Sequence, residues 1–260
     1  MKNHIPETKY YKTFEEDFVE SKDQNIKMKE NYKWIHSNPI YRVVSWIIYG
    51  IAWAIIRIAF PIAYGFKVEN KEVLKPFKKQ GYFVYGNHTQ MIGDVFKSPY
   101  VVWNKRSYVI ASPANLGIPV IGKILPSLGA LTIPTDFNKM RDFMKAIHTR
   151  IEQKHIISIY PEAHLWPYYT GVRPFPETSF KFPVNENKPA FTITTTYSER
   201  KYRKKPKVTC YVDGPFWPDK TLSKKERAKD LHDKIYNTML ERSKNSTYDY
   251  VIYKKADENE

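Results

Sequence analysis

A histidine set directly after an apolar run, with an aspartate within two helical turns, is a combination that can move a proton. The segment Tyr85-Gly-Asn-His-Thr-Gln-Met-Ile-Gly-Asp94 offers it. Gly81–Tyr85 reads as a short buried strand ending at Gly86. In sheets covered by helices, functional groups gather just beyond the carboxyl ends of the strands. The Asp94 carboxylate, set against one ring nitrogen of His88, would fix the tautomer and stabilise the imidazolium, leaving the other nitrogen to take a proton from an alcohol. The same two residues also read as a structural hydrogen bond, and types and spacing alone do not separate the readings.

The elements that would position this pair follow a regular pattern. Ser107–Ala111, Gly129–Ile133, His155–Tyr160, Pro189–Thr195 and Lys207–Val212 read as further strands, several of them closed by proline or glycine. Between two of them, Asp136–Gln153 repeats apolar residues at helical spacing: Phe137, Met140, Phe143, Met144, Ile147 and Ile151. Ser223-Lys-Lys-Glu226 is a capping box opening a helix with Leu231, Ile235, Met239 and Leu240 on its apolar side. Thr13-Phe-Glu-Glu16 has the same form and predicts a helix start near Phe14. Tyr250–Tyr253 is a possible last strand in a polar tail. Strands alternating with helices predict an α/β fold with a mainly parallel central sheet covered by helices.

Charge and apolarity point to where such a domain works. The chain of 260 residues has a formal net charge of +15 and one cysteine, Cys210. One cysteine excludes an intramolecular disulfide, a cysteine-rich zinc site and a Cys-x-x-Cys redox centre. No dinucleotide or P-loop glycine pattern is present, and no histidine spacing of the His-Glu-x-x-His kind, so no metal or cofactor is expected. Residues 41–110 hold ten basic and three acidic side chains, the strongest excess in the chain, and they surround its most apolar stretch, Val43–Phe66. That stretch is long enough to span a bilayer. Arg57 inside it, the breaks at Gly50 and Pro61, and Trp46, Tyr49, Trp53 and Tyr64 along it favour an interfacial or re-entrant helix instead. Apolar surface flanked by positive charge suits an anionic membrane surface. The basic run Lys201–Lys207 lies between two strands and reads as a loop tip, either solvated or facing anionic headgroups or an acidic carrier protein. No nucleic-acid recognition motif accompanies the charge, so a nucleic-acid partner is not expected. No cleavable signal sequence is expected in the polar first 40 residues.

About 70 residues after His88, the strand His155–Tyr160 runs into Tyr160-Pro-Glu162 and then Ala163-His164. Asn87-His88…Asp94 followed by an aromatic-Pro-Glu strand end resembles the glycerolipid acyltransferase superfamily, whose best-known members acylate lysophosphatidic acid. Order and rough spacing hold from about Phe66 to Trp217. The first family block, Asn-His, four residues, Asp, has five intervening residues here. The second, Gly-x-Ile-Phe-Ile-x-Arg, falls at Gly129–Ile133 with Asp136 near the arginine position and Lys139 and Arg141 as the nearest basic residues. The third, Phe-Pro-Glu-Gly-Thr-Arg, continues as Ala163-His164-Leu165, so it too is divergent. A fourth, apolar block falls on the strand with Pro189, Phe191 and Ile193.

The resemblance implies acyl transfer with no covalent enzyme intermediate. His88, held by Asp94, would deprotonate an acceptor hydroxyl that attacks an acyl thioester, with acyl-CoA or acyl-carrier protein as co-substrate. Backbone N–H groups would stabilise the oxyanion. Asn87 would brace the turn, and Glu162 would bind the acceptor or brace the site. Arg173, Lys139, Arg141 and His164 are the residues that could meet an acceptor headgroup in place of the family's arginines. The reading expects residues 1–40 to be a polar segment, 41–66 a membrane-associating helical element, 67–220 the acyltransferase domain, and 221–260 a C-terminal helix and tail. It expects membrane lipids and an anionic membrane surface as partners, at the cytoplasmic face. A catalytically idle relative that binds or presents lipids is the alternative that the divergent blocks leave open.

Overall fold

The computed structural model of the protein describes residues 4–19, 28–91, 93–102 and 105–256. In chain order the elements are β1 (Glu7–Tyr11), α1 (Pro39–Tyr64), β2 (Lys67–Glu69), β3 (Tyr82–Gly86), α2 (Asp94–Val101), β4 (Ser107–Ala111), α3 (Ile121–Leu128) and β5 (Ala130–Thr132). Then come α4 (Met140–Glu152), β6 (Ile156–Ile159), α5 (Lys181–Glu186), β7 (Ala190–Ser198), β8 (Lys207–Phe216), α6 (Lys224–Ser243) and β9 (Val251–Lys255). Seven strands form one sheet in the order β2-β8-β7-β3-β6-β4-β5. The five from β7 to β5 run the same way, β8 is antiparallel to β7, and β2 is parallel to β8. β1 and β9 pair separately, in parallel.

The inner strands are apolar on both faces, as strands covered by helices must be. Along β3, Phe83 and Tyr85 point into a core shared with Phe143, Ile147 and Ile151 of α4 and Leu231, Ile235 and Met239 of α6. Tyr82 and Val84 point the other way, into a core with Phe191, Val208 and Val212 and with Ile56 and Phe60 of α1. The sheet is therefore a middle layer. All six strands expected from Gly81 to Val212 are present; Ser107–Ala111 has the expected bounds, three others shift by one residue at their ends, and β7 and β8 run on to Ser198 and Phe216. The box at Ser223 closes with its Glu226 partner, as a capping box should. β1, β2, α2 and α3 carry no comparable sequence signal.

One expected helix is absent. The Glu16 carboxylate does fold back onto the N–H groups of Lys12 and Thr13, but residues 12–16 form only a turn. Phe14 within it and Phe18 just after it are drawn onto the buried Trp166, with ring centroids 5.8 and 5.1 Å away.

α1 begins four residues before the apolar stretch because Asn38 caps it, accepting from the N–H groups of Ile40 and Tyr41, with Pro39 at the first helical position. Gly65, with φ +55°, ends it. It is long and apolar enough to cross a membrane. One stripe, Ser45, Tyr49, Ile56 and Phe60, is buried against the domain. The opposite side leaves Val43, Ile47, Ile51, Ile55, Ile58 and Ile62 exposed. The helix lies along the domain, contacting α2 and α3. Arg57 is accommodated by donation to the Tyr100 carbonyl at 3.0 Å, with its guanidinium over the Trp53 and Tyr100 rings. At the far end of the helix, Arg200 donates to the carbonyls of Ile62 and Ala63, so the turn joining β7 to β8, which holds the basic run, sits at the end of α1.

β3 ends beside β6 so closely that a Cβ on Gly86 would lie 2.8 Å from the Tyr160 ring and 3.3 Å from the Ile193 carbonyl. Gly86→Ala should therefore lower stability by about 1–3 kcal/mol, the usual effect of overpacking a filled site, seen as a lower urea midpoint at unchanged slope.

Candidate active site

β3, β6 and β7 are adjacent and parallel, so the segments that follow them emerge at one edge of the sheet. His88 leaves β3 two residues beyond its end, and Asp94 starts α2. The extra residue between them is accommodated in the turn: Asp94 N–H bonds back to the Gln90 carbonyl, and the Gln90 N–H donates to the Asp94 carboxylate at 3.0 Å. His88 donates through Nδ1 to Asp94 Oδ2 at 2.6 Å. The imidazole is 23% exposed and the aspartate side chain 1%. Nε2 has no hydrogen-bond partner among the described residues. The arrangement fixes one ring nitrogen inside the protein and presents the other at the surface.

A fully buried carboxylate needs compensation, and α2 supplies it. Lys97, one turn after Asp94 and itself buried, donates to Asp94 Oδ1 and to Thr195 Oγ1. Burial on its own would raise the Asp94 carboxyl. The Lys97 ammonium, followed by the hydrogen bond and charge of His88, overcomes this and holds it below the usual carboxylate range. Thr195 belongs to β7, and its backbone is held by Asn87, whose amide accepts from Thr195 N–H at 2.8 Å and donates to Thr195 O at 3.0 Å. Asn87, Thr195, Lys97, Asp94 and His88 thus close a ring of contacts joining β3, β7 and α2. Tyr160 donates to the Asp94 carbonyl from the other side, and its phenol stays protonated because burial and then the Asp94 charge push it well up.

Glu162 performs two jobs from a buried position. Its Oε2 accepts from the His88 N–H at 2.8 Å and its Oε1 from the Arg173 N–H at 2.7 Å. The turn holding it has Ala163 at φ +63°, a left-handed conformation that glycine would adopt with less strain. Trp166 N–H and Tyr168 N–H continue the pairing, onto the carbonyls of His88 and Thr89.

The placement of the other expected residues divides them. Asn87 and Glu162 are buried braces and present no side-chain polar atom to a ligand. Arg173, expected to meet a headgroup, is corrected by the structure. Its side chain is 1% exposed and is consumed by Glu162, by the carbonyls of Phe14 and His164, and by the face of Trp166. A guanidinium buried this far and bound to three internal acceptors is not presented to an acceptor phosphate. His164 is partly exposed, with Nδ1 3.6 Å from Asp17. Lys139 and Arg141 follow β5 at the same edge as His88, but three strand positions away, roughly 14 Å at the usual strand spacing. Lys139 is turned to the carbonyls of Lys29 and Glu30, and Arg141 is exposed.

Two contributors were missed from the sequence. Lys97 sits on the buried side of α2, and its position three residues after Asp94 was the available signal. Thr195 lies in a run of threonines inside a fully buried strand, where hydroxyls need partners. Cys210, buried beside Thr195, is pushed up to about 11 by burial, so its thiol is not a nucleophile at neutral pH. Among the described residues no group of three or more His, Cys, Asp or Glu could hold a metal.

The family model described as Acyltransferase matches residues 65–193, the stretch from the end of α1 into β7. The 1-acyl-sn-glycerophosphate (LPA) acyltransferase PlsC from Thermotoga maritima has a similar crystal structure, at 15% identity and a TM-score of 0.57 over 80% of this chain and 89% of that one. That likeness establishes the fold. No curated protein matches the sequence.

The buried cation yields a sharp expectation. Because the native Asp94 carboxyl lies below its unfolded value, its contribution to stability is complete above the ordinary carboxylate range and is lost as pH falls through the native value. Lys97→Met should cost about 3–5 kcal/mol at neutral pH by leaving a buried charge unpaired. Burial then dominates at Asp94 and raises its carboxyl, so the native state takes up the extra proton and the cost of Lys97→Met should shrink as pH falls. Adding Asp94→Asn to Lys97→Met should restore part of the loss at neutral pH and remove that pH dependence, both read by circular dichroism across a pH series.

Proposed function

Since residues 65–193 form an acyltransferase domain of the glycerolipid acyltransferase superfamily, we propose that the protein transfers a fatty acyl group from a thioester donor to a hydroxyl of a lysophospholipid or related lipid acceptor at a membrane surface. The observation that carries this reading is the 2.6 Å contact of His88 Nδ1 with a buried, charge-compensated Asp94, with Nε2 unpaired at the open edge of the sheet.

In this reading, His88 Nε2 takes the proton of the acceptor hydroxyl as its oxygen bonds to the thioester carbonyl carbon. The tetrahedral intermediate then collapses with cleavage of the C–S bond, and the imidazolium returns the proton to the departing thiolate. Asp94 holds the ring through both transfers, and its negative charge stabilises the imidazolium between them. Asn87 and Glu162 fix the backbone of the histidine from two sides. Acyl-CoA or acyl-carrier protein is the donor by this reading.

The apolar face of α1 supports a membrane location, with Ile47, Ile51, Ile55, Ile58 and Ile62 exposed along one side and the basic turn Arg200–Lys207 at its end. An anionic leaflet such as the cytoplasmic one suits that charge. Met91, Val95, Val120, Ile121 and Phe137, also exposed, lie on segments that follow β3, β4 and β5 at the His88 edge, where an acyl chain would approach.

His88→Ala should reduce thiol release from acyl-CoA or acyl-carrier protein in the presence of lysolipids by about 100- to 10,000-fold. Wild-type protein that binds lysolipid vesicles but releases no thiol from either donor would favour the lipid-presenting alternative. Ile51→Asp with Ile55→Asp should weaken binding to anionic vesicles in a sedimentation assay without changing the circular dichroism spectrum. Unchanged binding would refute the membrane role of α1.

A further inference from the structure

At the edge of the sheet opposite His88, a cavity of about 430 Å³ opens between the first turns of α1, the segment Tyr32–Ser37, the end of α4 and the starts of β4 and β6. Arg42, Arg106 and Arg150 line it, and no aspartate or glutamate does. Arg106 is 4% exposed; it donates through Nη2 to Ser45 Oγ and the Ser127 carbonyl, while its buried Nε–H has no acceptor. Arg150 donates to Gln153 and to the Trp34 carbonyl, and its buried Nε–H likewise has none. Both guanidinium groups lie over the Tyr108 ring, at 5.2 and 4.5 Å. The Arg42 side chain makes no hydrogen bond or ion pair among the described residues.

Three guanidinium groups drawn together with no carboxylate repel one another, and the neighbouring imidazoles register it. His155 is pushed down to about 4 by burial and then by Arg150, Arg106 and Lys105. His36 is lowered by burial, then by Arg150 and Lys33. Buried donors left without acceptors are costly in a native protein and call for an explanation. A multiply charged oxyanion supplies one: it offers acceptors to planar N–H forks, and it cancels the charge that the protein does not. The first turn of α1, with its positive dipole end, adds to the same attraction. The walls supplied by Trp34, Trp46 and Tyr108 give room for an apolar or planar remainder.

We propose that this cavity is a binding site for a phosphate-bearing ligand, of the phosphomonoester class, separate from the site around His88. The ligand is not the reacting group, because the cavity lies at the amino ends of β4 and β6 whereas His88 lies past the carboxyl end of β3. Such a phosphate can come from two sources. One is an anionic lipid headgroup reached beside the exposed residues of α1; the other is a soluble phosphorylated compound.

Inorganic phosphate is the probe. Titrated into the full-length protein against sodium chloride of matched ionic strength, it should change tryptophan fluorescence saturably and raise the thermal midpoint. Arg42→Gln with Arg150→Gln should weaken that binding at least about tenfold, the scale of losing charged hydrogen bonds. Arg150 also holds the Trp34 carbonyl, so Arg42→Gln alone, at a side chain with no internal partner, should weaken it about threefold or more with the fold intact. Binding no stronger than that of chloride, or unaltered in both variants, would overturn the proposal. Phosphatidylcholine vesicles with and without phosphatidic acid separate the sources: competition with phosphate only by the acidic vesicles identifies the headgroup, and no competition identifies a soluble ligand. His88→Ala should leave phosphate binding unchanged, so the two sites are tested independently.

Discussion

A carboxylate taken wholly out of water is stable only where other groups replace its hydration, and Asp94 sets that requirement at the centre of this protein. The Lys97 ammonium, the His88 imidazole and the Gln90 amide meet it. Each partner arrives on a different piece of chain or a different turn of it, so satisfying one charge fixes α2 relative to the end of β3. Thr195, tied to both Lys97 and Asn87, extends that constraint to β7. The orientation of the imidazole is thus a by-product of electrostatic necessity in the fold. A looser site could hold the same residues without holding the ring.

α1 imposes a second constraint at a larger scale. Its first turns border the arginine-lined cavity at one edge of the sheet, and its last turn is met by Arg200 from the turn at the other. At 26 residues the helix is about 39 Å long, enough to run the full height of the domain. Its buried stripe is too regular for a detached anchor, and its exposed isoleucines are too many for a core helix. Basic side chains mark both of its ends. Whatever apolar phase meets the outward face therefore meets the domain in one orientation.

The sequence made legible what depends on local pattern. The buried strands show as continuous apolar runs, α4 as a 3.6-residue repeat, and α6 as a capping box followed by that repeat. His88 and Asp94 were legible because they stand close together just after such a run. The same logic failed at Thr13–Glu16, where the local signal was satisfied as a turn and the aromatic side chains were claimed by Trp166, some 150 residues away. Arg173 failed for the same reason in reverse: its charge suggested a ligand, but its partners, Glu162 and the carbonyls of Phe14 and His164, are assembled only by the folded chain. Lys97 and Thr195 stand 98 positions apart and meet only in three dimensions. Long-range pairing of polar groups leaves no periodicity to read.

Glu162 grips the chain at both ends of one loop, since the N–H it accepts from Arg173, eleven positions on, closes the span that the glutamate itself begins. With the His88 N–H on its other oxygen, the clasp also locks that span to the end of β3. Inside the clasp, backbone bonds from Trp166 and Tyr168 do the docking, so side chains such as those of His164 and Thr170 are exempt from it. The span behaves as an exchangeable cassette: its outward residues can drift while the backbone beneath stays in register. The replacement of the family's glycine, threonine and arginine by alanine, histidine and leucine is what such a cassette permits.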